Sequence, residues 1–122
     1  MKVEGMHLAW VVVSKIDEAI KFYTEVVGLT LHEWHKEYGW AELSGPNGAR
    51  LGLAQYNPKD EFKAGGNAVV TITVDDIELA RQKFQQKNAR LIGEVIEVPG
   101  HVKLQTFCDA DGNTFQLCQQ LD

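Results

Sequence analysis

The stretches "VSKIDEA" (residues 13–19) and "VDDIELA" (residues 74–80) stand 61 positions apart and decide the fold. Each one closes an apolar run with Val, continues through two polar residues, and then places Ile and Ala at helical spacing. With an offset of 64, "GARLGL" (residues 48–53) also aligns with "GNTFQL" (residues 112–117). Because these matches fall in the same order along both halves, the sequence predicts two copies of one structural unit.

The first half predicts the unit β-α-β-β-β. Its opening run is continuous and rich in Val, which is typical of a strand buried on both faces. The apolar residues that follow recur at helical spacing up to Gly28, a usual residue just past the end of a helix. The next segment alternates, which places four side chains on one side of a strand: Leu29, Leu31, Glu33 and His35. The predicted elements are a strand at 6–13, a helix at 17–27, a strand at 29–35 and a hairpin at 40–56.

The second half repeats this order after a polar segment that contains Pro and Gly. We therefore expect a single α+β domain with module 1 at about 5–56, a linker at about 57–66 and module 2 at about 67–121. The predicted elements of module 2 are a strand at 67–74, a helix at 76–87, a strand at 90–97 and hairpin strands at 102–108 and 113–120.

Composition narrows the class of protein. The chain has 122 residues and a net charge of −5, which disfavours general affinity for nucleic acid. Its longest apolar run, residues 8–13, is too short to cross a membrane, and no signal-peptide pattern opens the sequence. Cys108 and Cys118 are predicted to be reduced thiols. We expect a cytoplasmic protein without nucleic-acid or membrane partners.

The tandem units, the phrase "VSKIDEAIKFYTEVVGL" (residues 13–29), the restart "VDDIELA" and the closing "DADGNTFQL" (residues 109–117) resemble the vicinal oxygen chelate superfamily. This superfamily contains glyoxalase I, the bleomycin-resistance proteins, extradiol dioxygenases and methylmalonyl-CoA epimerase. The resemblance implies two βαβββ modules that form a curled mixed sheet around a concave pocket, with helices on the convex side. It also implies a homodimer, because many members pair modules from two chains.

Enzymes of this superfamily usually hold one divalent metal through ligands on the first and last strands of each module. Laid on this chain, the four ligand positions fall on Leu8, Gly52, Val69 and Gln116. None of these residues is a strong metal ligand, so the resemblance implies no metal cofactor here, with a divalent metal held by displaced ligands as the alternative. His7 is a weak candidate ligand, because it stands one residue from the expected position and would point to the opposite face unless a β-bulge intervened.

Strand alternation from those four positions predicts the lining of a pocket for a small organic ligand: Leu8, Trp10, Val12, Arg50, Gly52, Val69, Thr71, Thr73, Thr114, Gln116 and Cys118. The opposite set is apolar and would pack under the helices: Ala9, Val11, Val13, Leu51, Leu53, Phe115 and Leu117. Trp10 would offer a stacking surface or serve as ordinary core packing. Arg50 would bind a carboxylate or phosphate, or pair with Glu42.

Three functional hypotheses follow. The first is a binding protein without a metal, similar to the bleomycin-resistance proteins. The second is a metal-dependent lyase, isomerase or dioxygenase with displaced ligands. The third is a metal-free enzyme that uses Glu42 or His101 as a general base, with Arg50 as electrostatic support.

Overall fold

The computed structural model describes residues 2, 4, 7–59, 62–66 and 70–121. Module 1 contains β1 (Ala9–Val13), α1 (Ile16–Lys21), β2 (Thr30–His35), β3 (Trp40–Ser44) and β4 (Arg50–Gln55). Module 2 contains β5 (Val70–Thr73), α2 (Ile77–Gln86), β6 (Arg90–Val98), β7 (Val102–Cys108) and β8 (Thr114–Gln120). A π-helical segment (Phe22–Val26) continues α1, and a 3₁₀ turn (Lys36–Tyr38) precedes β3. The α+β class and the repeated βαβββ order are confirmed.

Each module forms its own four-stranded mixed sheet. Sheet A has the order β1-β4-β3-β2 and sheet B the order β5-β8-β7-β6. The first strand of each module pairs in parallel with the last, and the other pairs are antiparallel. Equivalent residues keep equivalent registers, since Val12 lies opposite Ala54 and Thr73 lies opposite Cys118. The repeat seen in the sequence is therefore a repeat in hydrogen-bonding pattern.

Both helices begin against a glutamine from the last strand of their own module. The side chain of Gln55 accepts a hydrogen bond from the Ile16 N–H, and that of Gln119 accepts one from the Ile77 N–H, each at 2.9 Å. These bonds satisfy N–H groups that a helix start leaves without a partner inside the helix. The two glutamines are related by the same offset of 64 as the hairpins. In α2, Asp76 adds a side-chain cap to the N–H groups of Glu78 and Leu79.

The helices pack on one face of each sheet and the two modules share one apolar core. Buried residues include six of the seven predicted under the helices: Val11, Val13, Leu51, Leu53, Phe115 and Leu117. Ala9, the seventh, is exposed at the start of β1. The rings of Tyr23 and Phe115 lie 5.3 Å apart and join α1's continuation to sheet B. Among the described residues, no helix is long and apolar enough to cross a membrane.

A buried polar network closes the contact between β1 and the turn 109–113, which we name the closed junction. The Tyr23 hydroxyl donates to an Asp109 carboxylate oxygen at 2.8 Å, and the Asn113 carboxamide donates to the same oxygen at 2.9 Å. The Asn113 carboxamide also donates to the Val12 carbonyl at 2.9 Å. Asn113 is fully buried and Asp109 is 8% exposed. Low local polarity makes each of these hydrogen bonds costly to remove.

The predicted alternation along residues 29–35 is wrong at one point. A register shift between Leu31 and Glu33 leaves Leu31 opposite the core residue Leu43, but puts Glu33 opposite Glu42. The extra residue of this bulge is His32, whose ring nitrogen hydrogen-bonds the Ser44 hydroxyl. A bulge adds one residue to one strand and so reverses the faces of everything beyond it.

Candidate ligand-binding site

The face of sheet A opposite the helices, which we name the helix-free face, carries the aromatic and charged side chains. Trp10 lies opposite Gly52 in the β1–β4 ladder, and Gly52 lies opposite Glu42 in the β4–β3 ladder. Directly paired residues point to the same side of a sheet. The three residues therefore form a row across the sheet. Trp40 and Arg50 follow on the same face, since Trp40 pairs with Ala54 and Arg50 with Ser44.

Indole rings lie over this row of paired residues on sheet A. A Cβ atom added at Gly52 would lie 2.6 Å from Trp40 Cζ2 and 2.9 Å from Trp10 Cβ, so only glycine fits beneath these rings. The Trp10 ring packs edge-to-face with two neighbouring rings. Its centroid lies 6.1 Å from that of Trp40 and 5.2 Å from that of Phe62. Trp10 is 38% exposed and Phe62 is 55% exposed. Aromatic faces accessible at a sheet surface provide a stacking surface for a ligand.

A charged network borders the aromatic rings. The Arg50 Nη1 donates to Glu33 at 2.8 Å and to Glu42 at 2.9 Å. The Trp40 indole N–H donates to the other oxygen of Glu42 at 2.9 Å. The His35 Nε2 lies 3.0 Å from Glu33. Arg50 therefore pairs with Glu42, as one of its two interpretations predicted, and the same nitrogen also donates to Glu33 of the protein itself.

These contacts shift the pKa of every ionisable member of the network. Hydrogen bonds from His35 and Arg50 lower the pKa of Glu33. Hydrogen bonds from Trp40 and Arg50 lower the pKa of Glu42 against an opposing effect of burial. The hydrogen bond to Glu33 raises the pKa of His35, and the two carboxylates raise the pKa of Arg50. At neutral pH the network thus holds two carboxylates against one guanidinium, and His35 adds a positive charge when its imidazole is protonated.

The corresponding face of sheet B carries exposed aliphatic side chains on β6. Ile92 is 39%, Ile96 58% and Val98 41% exposed. The ladders place them on the side of Gln116 and Cys118, because Ile92 pairs with Thr106, which pairs with Gln116, and Ile96 pairs with Leu104, which pairs with Cys118. The two helix-free faces therefore differ in their exposed apolar groups, which are aromatic rings on sheet A and aliphatic side chains on β6 of sheet B.

The residues predicted to line one pocket are divided between the two sheets, and three of them, Arg50, Thr71 and Thr73, line a common cavity. Sheet A carries Trp10, Val12, Arg50 and Gly52, and sheet B carries Thr71, Thr73, Thr114, Gln116 and Cys118. Leu8 is half-buried just before β1, and Val69 lies outside the described residues. Val12 and Cys118 are only 3% and 9% exposed, so neither offers the surface that was predicted. The Val12 carbonyl also belongs to the closed junction, where it accepts the hydrogen bond from Asn113.

The two candidate general bases lie on different sheets. Glu42 is in the sheet A network, whereas His101 is exposed in the turn between β6 and β7, where its N–H donates to the Val98 carbonyl at 2.9 Å. The lowered pKa makes Glu42 a weak base at neutral pH. His7 is exposed and precedes β1.

Four residues of this face were missed by sequence reasoning: Glu33, His35, Trp40 and Phe62. The bulge at His32 reverses the face of Glu33 and His35, and a bulge leaves no regular mark in a sequence. A signal existed for Trp40, because a glycine within a strand often marks the close approach of another group. Gly52 lies directly beneath the Trp40 ring.

A family model for the glyoxalase/bleomycin resistance protein/dioxygenase superfamily matches residues 6–117. The chain belongs to this superfamily. No curated protein matches its sequence.

Several solved structures share the fold of this chain. A member from Sphaerobacter thermophilus DSM 20745 is 21% identical, with a TM-score of 0.80 over 97% of this chain and 98% of that one. TnmS3, an antibiotic binding protein from Streptomyces sp. CB03234, is 24% identical, with a TM-score of 0.81 over 98% of each chain. TioX from Micromonospora sp. ML1 is 17% identical, with a TM-score of 0.72 over 96% of this chain and 100% of that one.

The metal-ligand positions implied by the superfamily do not fit a metal in this chain. Gly52 has no side chain, and the ring of Trp40 fills the space above it. Leu8 is apolar, and Gln116 offers only a neutral amide. Across residues 7–59, 62–66 and 70–121, the structure brings together no group of three or more His, Cys, Asp or Glu side chains able to hold an ion.

Proposed function

We propose that this chain binds a small organic molecule on the helix-free face of sheet A, without the metal that enzymes of the superfamily use. The observation that carries this proposal is the Trp40 ring over Gly52, which turns a metal-ligand position into part of an aromatic surface. Trp10 and Phe62 extend that surface and are accessible to solvent. Such a surface, bordered by a few fixed polar groups, is the usual composition of a ligand site.

The charges beside the rings favour a cationic ligand. Arg50 is shared between Glu33 and Glu42, so the three side chains together keep one negative charge. A flat molecule with a positive nitrogen would gain both from the ring faces and from the carboxylates. A carboxylate or phosphate ligand, the partner first considered for Arg50, would instead meet two carboxylates that already hold the guanidinium.

We further propose that the protein is a cytoplasmic homodimer in which sheet B of one copy covers sheet A of the other. The exposed Ile92, Ile96 and Val98 give sheet B an apolar face suited to such burial. Cys108 and Cys118 are both free thiols, which agrees with a reducing compartment. Light scattering after size exclusion measures the oligomeric state directly, and Ile96→Glu should shift a dimer to the monomer.

Tryptophan fluorescence with two tricyclic probes tests the ligand class. We expect the cation 9-aminoacridine to bind about tenfold more tightly than the anion 9-anthracenecarboxylate, which corresponds to about 1.4 kcal/mol. Trp10→Ala should weaken 9-aminoacridine binding, because it removes a stacking surface, and Glu42→Gln should reduce the preference for the cation.

Trp34→Phe is the matched control. Trp34 pairs with Ala41 and packs against the core, on the opposite face of the same sheet, so this change alters the fluorescence background but should leave the affinity unchanged. Equal binding of the two probes, or unchanged affinity in Trp10→Ala, would contradict the proposal.

The alternative is a metal-dependent lyase, isomerase or dioxygenase with displaced ligands. Elemental mass spectrometry on tag-free protein, purified without nickel resin or chelator, distinguishes it from metal-free binding. A stoichiometric divalent ion would direct the search to that chemistry, beginning with His7→Ala. A metal-free enzyme would show a pH–rate profile that Glu42→Gln or His101→Ala abolishes.

A further inference from the structure

The repeat gives β1 and β5 equivalent neighbours in the opposite module. β1 lies against the turn 109–113 at the closed junction, where Asn113 donates to the Val12 carbonyl. The equivalent turn of module 1 is residues 45–49, and we name the space between this turn and β5 the open junction. The two turns share one backbone conformation, since Gly48 has φ 86° and Gly112 has φ 82°.

A cavity of about 500 Å³ occupies the open junction. Its apolar wall includes Leu29, Leu43 and Leu51, and its polar groups include Thr71 and Gln120. All four residues of β5 line it, so the free edge of that strand faces the cavity. This volume lies within the range of sites that hold small organic molecules.

The cavity is present because the side chains that close the other junction have no counterparts here. The positions equivalent to Asp109 and Asn113 hold Gly45 and Ala49. Neither side chain carries a hydrogen-bonding group that could reach β5. The repeated backbone therefore forms an equivalent recess at each junction. Only the recess at the closed junction is filled, by the carboxamide of Asn113.

The backbone of β5 presents the same acceptor that Asn113 satisfies on β1. The Val74 N–H donates to the Cys118 carbonyl at 2.9 Å, on the side of β8. Neighbouring residues of a strand turn their backbone groups to opposite sides. The Thr73 carbonyl, equivalent to that of Val12, therefore points away from β8 and into the open junction.

We propose that the open junction is a second binding site, and that it takes a small molecule with a primary carboxamide on a compact apolar body. The amide nitrogen would donate to the Thr73 carbonyl, as Asn113 does to Val12. The apolar body would pack against the apolar wall of the cavity. Gln120 and the threonine hydroxyls would face the amide oxygen. Arg50 lines this cavity as well as bordering the aromatic surface of sheet A, but none of the aromatic residues Trp10, Trp40 and Phe62 lines it.

Nuclear magnetic resonance titration of the ¹⁵N-labelled protein tests the proposal with benzamide and acetophenone. The two probes have nearly the same shape, but acetophenone has a methyl group where benzamide has the donating amide nitrogen. We expect benzamide to shift the amide signals of Val70–Thr73 and of residues 45–49, with half-saturation in about the millimolar range for so small a probe. Acetophenone should bind at least about fivefold more weakly, because the backbone acceptor stays unpaired.

The double variant Gly45→Asp/Ala49→Asn should close the cavity from within the protein. A Cβ at Gly45 would meet only Asn47 Oδ1, at 3.8 Å, so the first change fits. We expect this variant to lose benzamide binding by at least about tenfold and to melt at a higher temperature. Ala110→Asn is the matched control, because it adds the same side chain at an exposed position of the closed junction's turn.

Three outcomes would overturn the proposal. Equal affinity for benzamide and acetophenone would remove the carboxamide from the recognition. Undiminished binding in a folded double variant would place the probe elsewhere. Shifts confined to the indole signals of Trp10 and Trp40 would assign the probe to the sheet A surface, and would leave the function proposed for that surface intact.

Discussion

At the closed junction, Asp109 and Asn113 stand where the open junction has Gly45 and Ala49. The turns themselves are alike: the Gly112 N–H donates to the Asp109 carbonyl and the Gly48 N–H to the Gly45 carbonyl, each at 3.1 Å. The difference lies only in the side chains. The two modules thus have the same backbone at these turns. In one module buried polar side chains close the contact with the neighbouring strand, and in the other a cavity remains that could hold a ligand.

The largest test of this comparison removes Asp109. Its carboxylate accepts hydrogen bonds from Tyr23, from the Asn113 side chain, and from the N–H groups of Asp111 and Asn113. Asp109→Ala leaves these donors without their acceptor in a buried place, and we expect a loss of about 3–5 kcal/mol in the free energy of unfolding. Urea denaturation monitored by circular dichroism measures it.

Gly45→Ala supplies the matched change at the open junction. Its backbone is not in the left-handed region and the added Cβ has space, so we expect a change within about 0.5 kcal/mol. Similar losses for Asp109→Ala and Gly45→Ala would mean that the two junctions contribute equally to stability.

A smaller effect is expected when a tyrosine equivalent to Tyr23 is introduced at the open junction. Phe84 is the equivalent of Tyr23 and is 2% exposed in the core. Phe84→Tyr would bury a hydroxyl at the position equivalent to Tyr23, where Gly45 supplies no side-chain acceptor in place of Asp109, and should cost about 1–3 kcal/mol. Adding Gly45→Asp should recover part of that loss. A double-mutant cycle measures the coupling, and additive free energies would show that the two junctions are not interchangeable.

Much of this architecture follows from the sequence, because the spacing of apolar residues and the residues typical of turns are local signals. The order of elements, the two offsets and the helix-facing set from Val11 to Leu117 could all be derived from apolar spacing and turn residues. The same offsets also identify Gly45 and Ala49 as equivalents of Asp109 and Asn113. The alternation of side chains along a strand was enough to predict that Trp10 and Gly52 lie on the face away from the helices.

The rest depends on contacts between residues far apart in the chain. The bulge at His32 is decided by strand pairing, so the network of Glu33 and His35 with Arg50 could not be derived from alternation. The hydrogen bond that joins Val12 to the closed junction comes from Asn113, 101 positions away. The cavity results from short side chains, and whether a neighbouring segment fills such a gap is decided only in three dimensions.

A pH-dependent effect of intermediate size is expected from Tyr23. Burial raises its pKa above the ordinary value of 10.0, and the charge and hydrogen bond of Asp109 raise it further. Because the folded state holds the proton more tightly, the stabilisation is complete below pH 10 and is lost as the pH rises above it, by about 1.4 kcal/mol per pH unit. The free energy of unfolding, measured by urea between pH 9 and 11, should fall less steeply in Tyr23→Phe. Equal slopes in the two proteins would place the phenol outside the buried network.

The smallest effect is expected at the exposed network of sheet A, which contrasts with the buried one. The hydrogen bond to Glu33 raises the pKa of His35, so the stabilisation that His35 contributes is present below its unfolded-state pKa and is lost as the pH rises through the folded-state pKa. Glu33→Gln should lower the His35 pKa toward its ordinary value, read from the imidazole proton signals in a pH titration. Solvent screens these side chains, so the urea midpoint at pH 7 should not move measurably. An unmoved His35 titration would break the link between the two residues. A large loss of stability would instead make this surface as strongly coupled to the fold as the closed junction, and the contrast between buried and exposed networks would fail.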